Sequence, residues 1–450
     1  MREVPLIGPY QRDDLLAWGQ EGGRTAAQFL RDVYSLADQL PDRPTVFNLA
    51  ANRYEFLVGF AAAMMRGQVT LLPHSRVPHL LREMIRDYPD SYAYVDHEAT
   101  GAVSELMPVL RRQHSACDLC PSDPPLIPWD QEVAIAFTSG TMGKPVPNRK
   151  TWGALTSVAQ ATGARLGIKE RERIIIVATV PHQHMFGLEA SVMLPIVHGL
   201  AMHEGRPLFP ADVGNVLMAV PERWLLVTTP IHLRACVVEG ITVLKRGLIL
   251  SATAPLARDV AREAERQFQS EVREIFGFAE AGSVAERRTV AGDWWRPLDG
   301  VRVEQEGTVC VVRAPYLPEP VPVPDRLSVA PNGEFMVHGR KADEVHIAGY
   351  RVSLGELTSK LLQVEGVQDG VFVMPDEQCG LVTRLMAFVV APGKSSEEIL
   401  RQLRTHIDPV FLPRPLVCVP KLPRNETGKL PREAIDEMVR QWREEKSCEQ

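Results

Sequence analysis

Residues 136–147, AFTSGTMGKPVP, concentrate groups that bind an anion. Thr138, Ser139, Gly140, Thr141 and Gly143 form a small, hydroxyl-rich turn. Glycines let backbone N–H groups approach phosphate oxygens, and the hydroxyls and Lys144 add donors. This is not a Walker loop, which needs four residues between its glycines and a hydroxyl after the lysine; here Pro145 follows Lys144. Alone, such a turn is also what an ordinary surface loop looks like. His182 and His184 stand two residues apart after an apolar run. The pair suits a metal, but no third ligand has convincing spacing, and a satisfied structural histidine fits equally. Cys117 and Cys120 form a lone C-x-x-C, and a structural zinc needs two further ligands that the sequence does not offer.

The elements that must position these groups alternate between helical periodicity and short β-rich runs, which predicts α/β layers. Residues 55–66 read as a buried helix and QVTLLPH as a strand entering a turn. The runs 133–140, 173–181, 222–230, 247–255 and 274–282 each read as an apolar strand ending in small, polar or proline residues. In open α/β sheets, ligands sit outside the carboxyl ends of the strands. Residues 256–270 predict an amphipathic helix. Five prolines in 314–325 exclude a helix or a central strand there. Two short strands and a helix then follow. The reading is an N-terminal domain over 1–338, a hinge at 339–342 and a small α+β domain over 343–450.

Several segments together resemble the adenylate-forming (AMP-binding) acyl- and aryl-acid ligase superfamily. TSGTMGKP resembles its phosphate loop, PHQHMFGL (181–188) its P-x-x-H-x-x-G segment and LSATAPL (250–256) its adenine-side loop. IFGFAEAG (275–282) resembles its YGSTEAG. Asp325 stands eight residues before Gly333 and fifteen before Arg340, as in its TGD…G…GR pattern. HIAGYRVSLGEL (346–357) resembles the segment after the hinge, and PRNETGKLPRE (423–433) the C-terminal lysine loop. In order, these segments span residues 136–433.

The resemblance implies a large N-terminal α/β domain of layered sheets and helices, with a small mobile C-terminal lid. It implies ATP and Mg²⁺ as cofactors and a two-step reaction. A carboxylate attacks the α-phosphate of ATP, and a thiol then displaces AMP to give a thioester. Glu280, with Thr141, would hold Mg²⁺. Asp325 would accept from the ribose hydroxyls with Arg340 assisting, and Lys429 would reach the reacting oxygens. Ser251, Ala252, Thr253, Phe276 and Gly277 would line the nucleotide side. Gly349, Tyr350 and Arg351 would line the thiol channel. His184, Thr228, Thr229, Pro230, Ser251, Gly277 and Phe278 would wall the acid pocket. There Gly277 would leave room for a flat group, and the hydroxyls would meet a ring hydroxyl.

The chain is most similar to the short hydroxybenzoate ligases of aryl-polyene and xanthomonadin-type pigment clusters. That implies 4- or 3-hydroxybenzoate, with coenzyme A or an acyl carrier protein bearing phosphopantetheine as acceptor. A fatty or short-chain acid, or a weakened nucleotide-binding adaptor, remains open as an alternative. The usual threonine, lysine, threonine and acidic hinge residue are replaced by Met142, Val146, Ala279 and Ala342.

Composition agrees with an enzyme of this class. Lys plus Arg is 50 against 56 Asp plus Glu, a net charge of −6, which gives no general field for nucleic acid or an anionic membrane surface. No apolar run makes an 18-residue span, and the N-terminus has no signal-like core. Seven cysteines do not make a secreted disulfide framework, so a reducing cytoplasm is expected.

Overall fold

The computed structural model describes residues 2–73, 76–96, 103–113, 123–139, 145–340, 344–347, 350–375, 385–425 and 428–448. Strand Ile174–Ala178 is buried at every position, as expected for the interior of a parallel sheet covered on both faces. It lies mid-sheet among nine strands. From one edge these are Arg296–Pro297, Gly282–Arg287, Glu271–Phe278, Gly247–Ser251, Arg223–Thr228, Ile174–Ala178, Ala201–His203, Leu15–Gly19 and Gly22–Thr25. The inner pairings are parallel, and the hairpins at both edges are antiparallel. The predicted strands at 173–181, 222–230, 247–255 and 274–282 are therefore neighbours in one sheet.

A six-stranded sheet runs Pro145–Thr151, Glu132–Ser139, Val69–Leu72, Thr45–Asn48, Ser91–Tyr94 and Val109–Leu110. Helices Ala26–Ala37, Arg53–Met65 and Trp152–Arg165 share one buried cluster with residues of both sheets, such as Leu16 and Met202 of the first and Val46 and Tyr92 of the second. The helix starts are set locally. Thr25 and Gln28 form a reciprocal capping box, and the Asn52 side chain accepts from Tyr54 and Glu55 N–H. On the far face of the larger sheet, helix Arg258–Phe268 buries Val260, Ala261, Ala264 and Phe268, the one-sided pattern its sequence predicted.

The proline-rich stretch contributes only Val321–Pro322, at the edge of a three-stranded sheet, where a missing N–H is tolerated. Beyond it, Asp325–Val329 pairs with Phe335–Arg340. Three strands, not two, lie between there and the next helix: Phe335–Arg340, Glu344–Ile347 and Tyr350–Ser353. The difference arises because VHIAGYRV is itself a hairpin, with Ile347 opposite Tyr350. Helix Leu354–Leu361 and the sheet Asp369–Val373, Met386–Val390, Leu416–Cys418 then build a small α+β unit with its own buried clusters. Gly339 has φ +107, and a Cβ there would collide with Ser353 Oγ, so this position requires glycine. Ala342 lies outside the described residues.

Phe335 is fully buried and packs edge-on against Phe276 at 5.5 Å, tying the Asp325 strand pair to the larger sheet. Phe335→Ala should cost about 3–5 kcal/mol. A clear fall in urea midpoint is expected, whereas exposed Phe209→Ala should change it little. Equal, small effects for both variants would contradict this packing role.

Candidate active site

Strands Glu132–Ser139 and Pro145–Thr151 form the arms of a hairpin, with Thr138 opposite Val146 and Ser139 opposite Pro145. Gly140, Thr141, Gly143 and Lys144 lie outside the described residues. Val146 is 44% exposed, whereas Lys150, four residues on, is 6% exposed. The Lys150 ammonium donates to the backbone carbonyl of Glu280 at 3.0 Å. Burial depresses its pKa, and the charges of Glu189 and Glu280 hold it up.

Glu280 is exposed in the turn between Glu271–Phe278 and Gly282–Arg287. The expected role of Gly277 is corrected here. A Cβ on Gly277 would lie 2.5 Å from the Gly282 carbonyl oxygen, so its missing side chain admits the partner strand rather than a flat acid. Beneath the turn, Glu189 is fully enclosed by protein and accepts from Ser283 N–H at 3.1 Å and Ser283 Oγ–H at 2.6 Å. Burial pushes its carboxyl above the ordinary range, opposed by Ser283 and the Lys150 charge. Phe276 and Phe278 are half-buried and pack with Trp295 and Phe335, so Phe278 belongs to that cluster.

Parallel strands ending at Ala178, Thr228 and Ser251 bring the acid-side residues together. Not every hydroxyl there is available. Thr228 Oγ1 pairs with Thr179 Oγ1 at 2.9 Å. Thr229 caps helix Pro230–Val238, and its Oγ1 lies 2.9 Å from His232 Nδ1. Both threonines, expected to meet a ring hydroxyl, already have a side-chain partner within the protein. Ser251 Oγ is buried with no hydrogen-bond partner among the described residues. Ala252 is buried beside it, and Thr253 has φ +83, a left-handed conformation that costs a β-branched residue about 1–3 kcal/mol. His184 is half-buried at the N-terminus of Met185–Leu188. His182 sits deeper, with Nε2 2.9 Å from the Ala50 carbonyl and its ring 4.5 Å from Phe56. It is a structural histidine.

Asp325 and Arg340 are direct Cα partners in their strand pair, which brings the two expected ribose-side residues together. The lysine loop is built by its own polar groups. Asn425 Oδ1 accepts from Lys429 N–H at 2.9 Å, and Arg424 grips both Asp369 oxygens while donating to the Gly428 carbonyl. Gly428 has φ +75, and a Cβ on it would lie 3.4 Å from Thr229 Oγ1. Arg234 donates to the Val367 carbonyl at 3.0 Å. The small unit is thus seated with its Gly-Lys loop at the end of strand Arg223–Thr228. Tyr350 and Arg351 open the strand Tyr350–Ser353, and Gly349 lies outside the described residues.

Among the described residues no three His, Cys, Asp or Glu gather as a metal cage. One exposed carboxylate near a phosphate loop does suit Mg²⁺, which takes few protein ligands and completes its shell with phosphates and water. Cys117 and Cys120 lie outside the described residues. Sequence reading missed Glu189 and the burial of Lys150. The signal for Glu189 was an acid inside the apolar run MFGLEASVML, since unpaired glutamate is rarely buried.

Residues 23–340 match the AMP-binding enzyme family, and residues 356–429 match the AMP-binding enzyme C-terminal domain. The chain belongs to this family, and it is an AMP-forming acid–thiol ligase. It is 28% identical over 310 residues to a 4-coumarate–CoA ligase of Halorhodospira halophila, covering 65% of this chain and 73% of the relative. It is 24% identical to a 4-coumarate–CoA ligase of Rhodobacter capsulatus, covering 71% and 76%. A benzoate CoA ligase structure from Burkholderia xenovorans shares the fold with TM-score 0.81 at 18% identity, covering 95% of this chain and 97% of that one. No helix among the described residues is long and apolar enough to cross a membrane.

Burial, with the charge of Arg53, holds the His182 imidazole well below its usual pKa, and burial likewise lowers His198, His203 and His232. These groups stay neutral when folded, whereas the unfolded chain takes up protons below about pH 6.5. Their stability contribution is therefore intact above that pH and is lost as pH falls through it, by up to about 1.4 kcal/mol per unit for each group. The urea midpoint should drop between pH 7 and 5.5, and more shallowly in His182→Gln. An unchanged slope in that variant would contradict the neutral, buried assignment.

Proposed function

We propose that the protein activates an aryl acid, 4- or 3-hydroxybenzoate, as an acyl-adenylate and transfers it to the thiol of coenzyme A or a phosphopantetheinyl carrier. The observation that carries this reading is the seating of the Gly428–Lys429 loop against Thr229, beside the strand end that carries buried Ser251. A cation beside that junction suits the first step, in which an anionic carboxylate must approach an anionic phosphate. Asp325 and Arg340, paired across their strands, suit the ribose. Bound Mg²⁺, held by Glu280 with Thr141, would supply charge neutralisation on the departing pyrophosphate. After adenylation, rotation of the small domain at 339–342 would exchange the Lys429 loop for Gly349–Arg351 beside the thiol. Cys236, a buried free thiol, fits a reducing cytoplasm.

The aromatic choice rests on Ser251. Its buried, unpartnered hydroxyl offers a hydrogen bond that a ring hydroxyl could complete, while Thr228 and Thr229 are committed elsewhere. The two coumarate ligases, of which the nearer in identity is matched over 73% of its length, support an aryl acid.

Lys429→Ala should lower adenylate formation by about 10²–10³-fold while leaving thioester formation from a supplied acyl-adenylate largely intact. Equal losses in both half-reactions would make Lys429 structural. Pyrophosphate release should be fastest with 4- or 3-hydroxybenzoate among those acids, benzoate, acetate and octanoate. Ser251→Ala should erase the preference for hydroxybenzoate over benzoate, because a site built to bond a hydroxyl penalises its absence. Acetate or octanoate outrunning every benzoate would reject the aryl reading and leave the ligase reading standing.

A further inference from the structure

The Glu280 turn is gripped from beneath by two charged side chains that arrive from the two other ligand-facing segments. Lys150 comes from the strand that follows the phosphate loop, and its ammonium bonds the carbonyl of Glu280 itself. Glu189 follows His184 by five residues, and its carboxylate takes both the N–H and the hydroxyl of Ser283. Between these two anchors Gly282 has φ +78, and a Cβ there would lie 2.6 Å from Glu189 Oε1. The turn backbone therefore lies directly on the carboxylate. Tyr316 walls the same small space, and its hydroxyl is buried with no hydrogen-bond partner among the described residues.

Burying a charged group costs free energy unless hydrogen bonds answer it, and here the answering groups are those of the turn: Lys150 donates to the Glu280 carbonyl and Glu189 accepts from Ser283. What the charged pair adds is geometry. Lys150 fixes the carbonyl at one end of the turn and Glu189 fixes the amide at the other, leaving the Glu280 side chain outside. Lys150 is 6% exposed and its ammonium is directed at the Glu280 carbonyl, so its recorded contact is with the turn.

We infer that Lys150 and Glu189 are positioning residues for the Mg²⁺–nucleotide site, acting through the backbone of the Glu280–Ser283 turn. This rests on the proposed role of Glu280. Residues that orient a metal ligand in this way typically alter metal affinity about 10–100-fold when changed.

The test is calorimetric ATP binding to the full-length protein with and without Mg²⁺, which needs no acid substrate. In the wild type Mg²⁺ should tighten ATP binding. Lys150→Met and Glu189→Gln should shrink that Mg²⁺-dependent gain by about 10-fold or more, as Glu280→Gln does. Affinity for ATP without Mg²⁺ should stay close to wild type, and Lys150→Arg should restore most of the gain. An unchanged gain in folded Lys150→Met overturns the inference. An unchanged gain in Glu280→Gln overturns the metal-side reading and the inference with it. If Lys150→Met does not fold, the isosteric Glu189→Gln carries the test. Failure of both to fold marks the pair as structural and overturns the inference too.

Discussion

A carboxylate taken out of water must be answered by donors, and Glu189 is answered by the turn that carries Glu280. Removing those donors would leave a buried, unpaired acid, so the turn is not free to drift. The same constraint orders its neighbours. Lys150 must find acceptors once buried, and it finds the Glu280 carbonyl. Gly277 and Gly282 must lack side chains, because the two strands meet within 2.5 Å of a hypothetical Cβ on the first, and the carboxylate lies against the second. Three segments that are far apart in sequence are thereby locked at one place.

The parallel sheet supplies the other half of the site. Its strands deliver Thr228 and Ser251 to one end, where helix Pro230–Val238 begins under the Thr229 cap. The small domain meets that cap through Gly428, while Arg234 and the Asp369–Arg424 clamp hold the surrounding loop. The described ends of the lysine loop are thus held by Asn425 and Arg424 of its own domain, and Gly428 lies close to Thr229. Each domain has buried clusters of its own, so the proposed domain motion would not rebuild either core.

Much of this was legible in the residues. A run such as RIIIVATV reads as a buried strand and the stripe of 256–270 as an amphipathic helix, and both are found. The loops at the strand ends were legible because glycine, proline and hydroxyl residues punctuate them. What escaped was the destination of individual polar atoms. Thr229 reads as a pocket hydroxyl until its helix is seen, because capping and ligand binding draw on the same residue types. Gly277 reads as open space until its antiparallel neighbour is placed. Lys150 and Glu189 are 39 residues apart, and no periodicity relates a strand to a helix that far along the chain. The strand pair beyond Arg340 was also blurred, since VHIAGYRV reads as one run although Glu344–Ile347 and Tyr350–Ser353 are separate paired strands.

These strand ends and the docked lysine loop are proposed to join a carboxylate to AMP. The most direct measurement is mass spectrometry of the small molecules retained by the protein after incubation with ATP, Mg²⁺ and 4-hydroxybenzoate in the absence of any thiol. The account predicts 4-hydroxybenzoyl-AMP bound to the protein, with an equal amount of pyrophosphate released. Appearance of ADP and orthophosphate instead, or unaltered ATP with every acid offered, would contradict it.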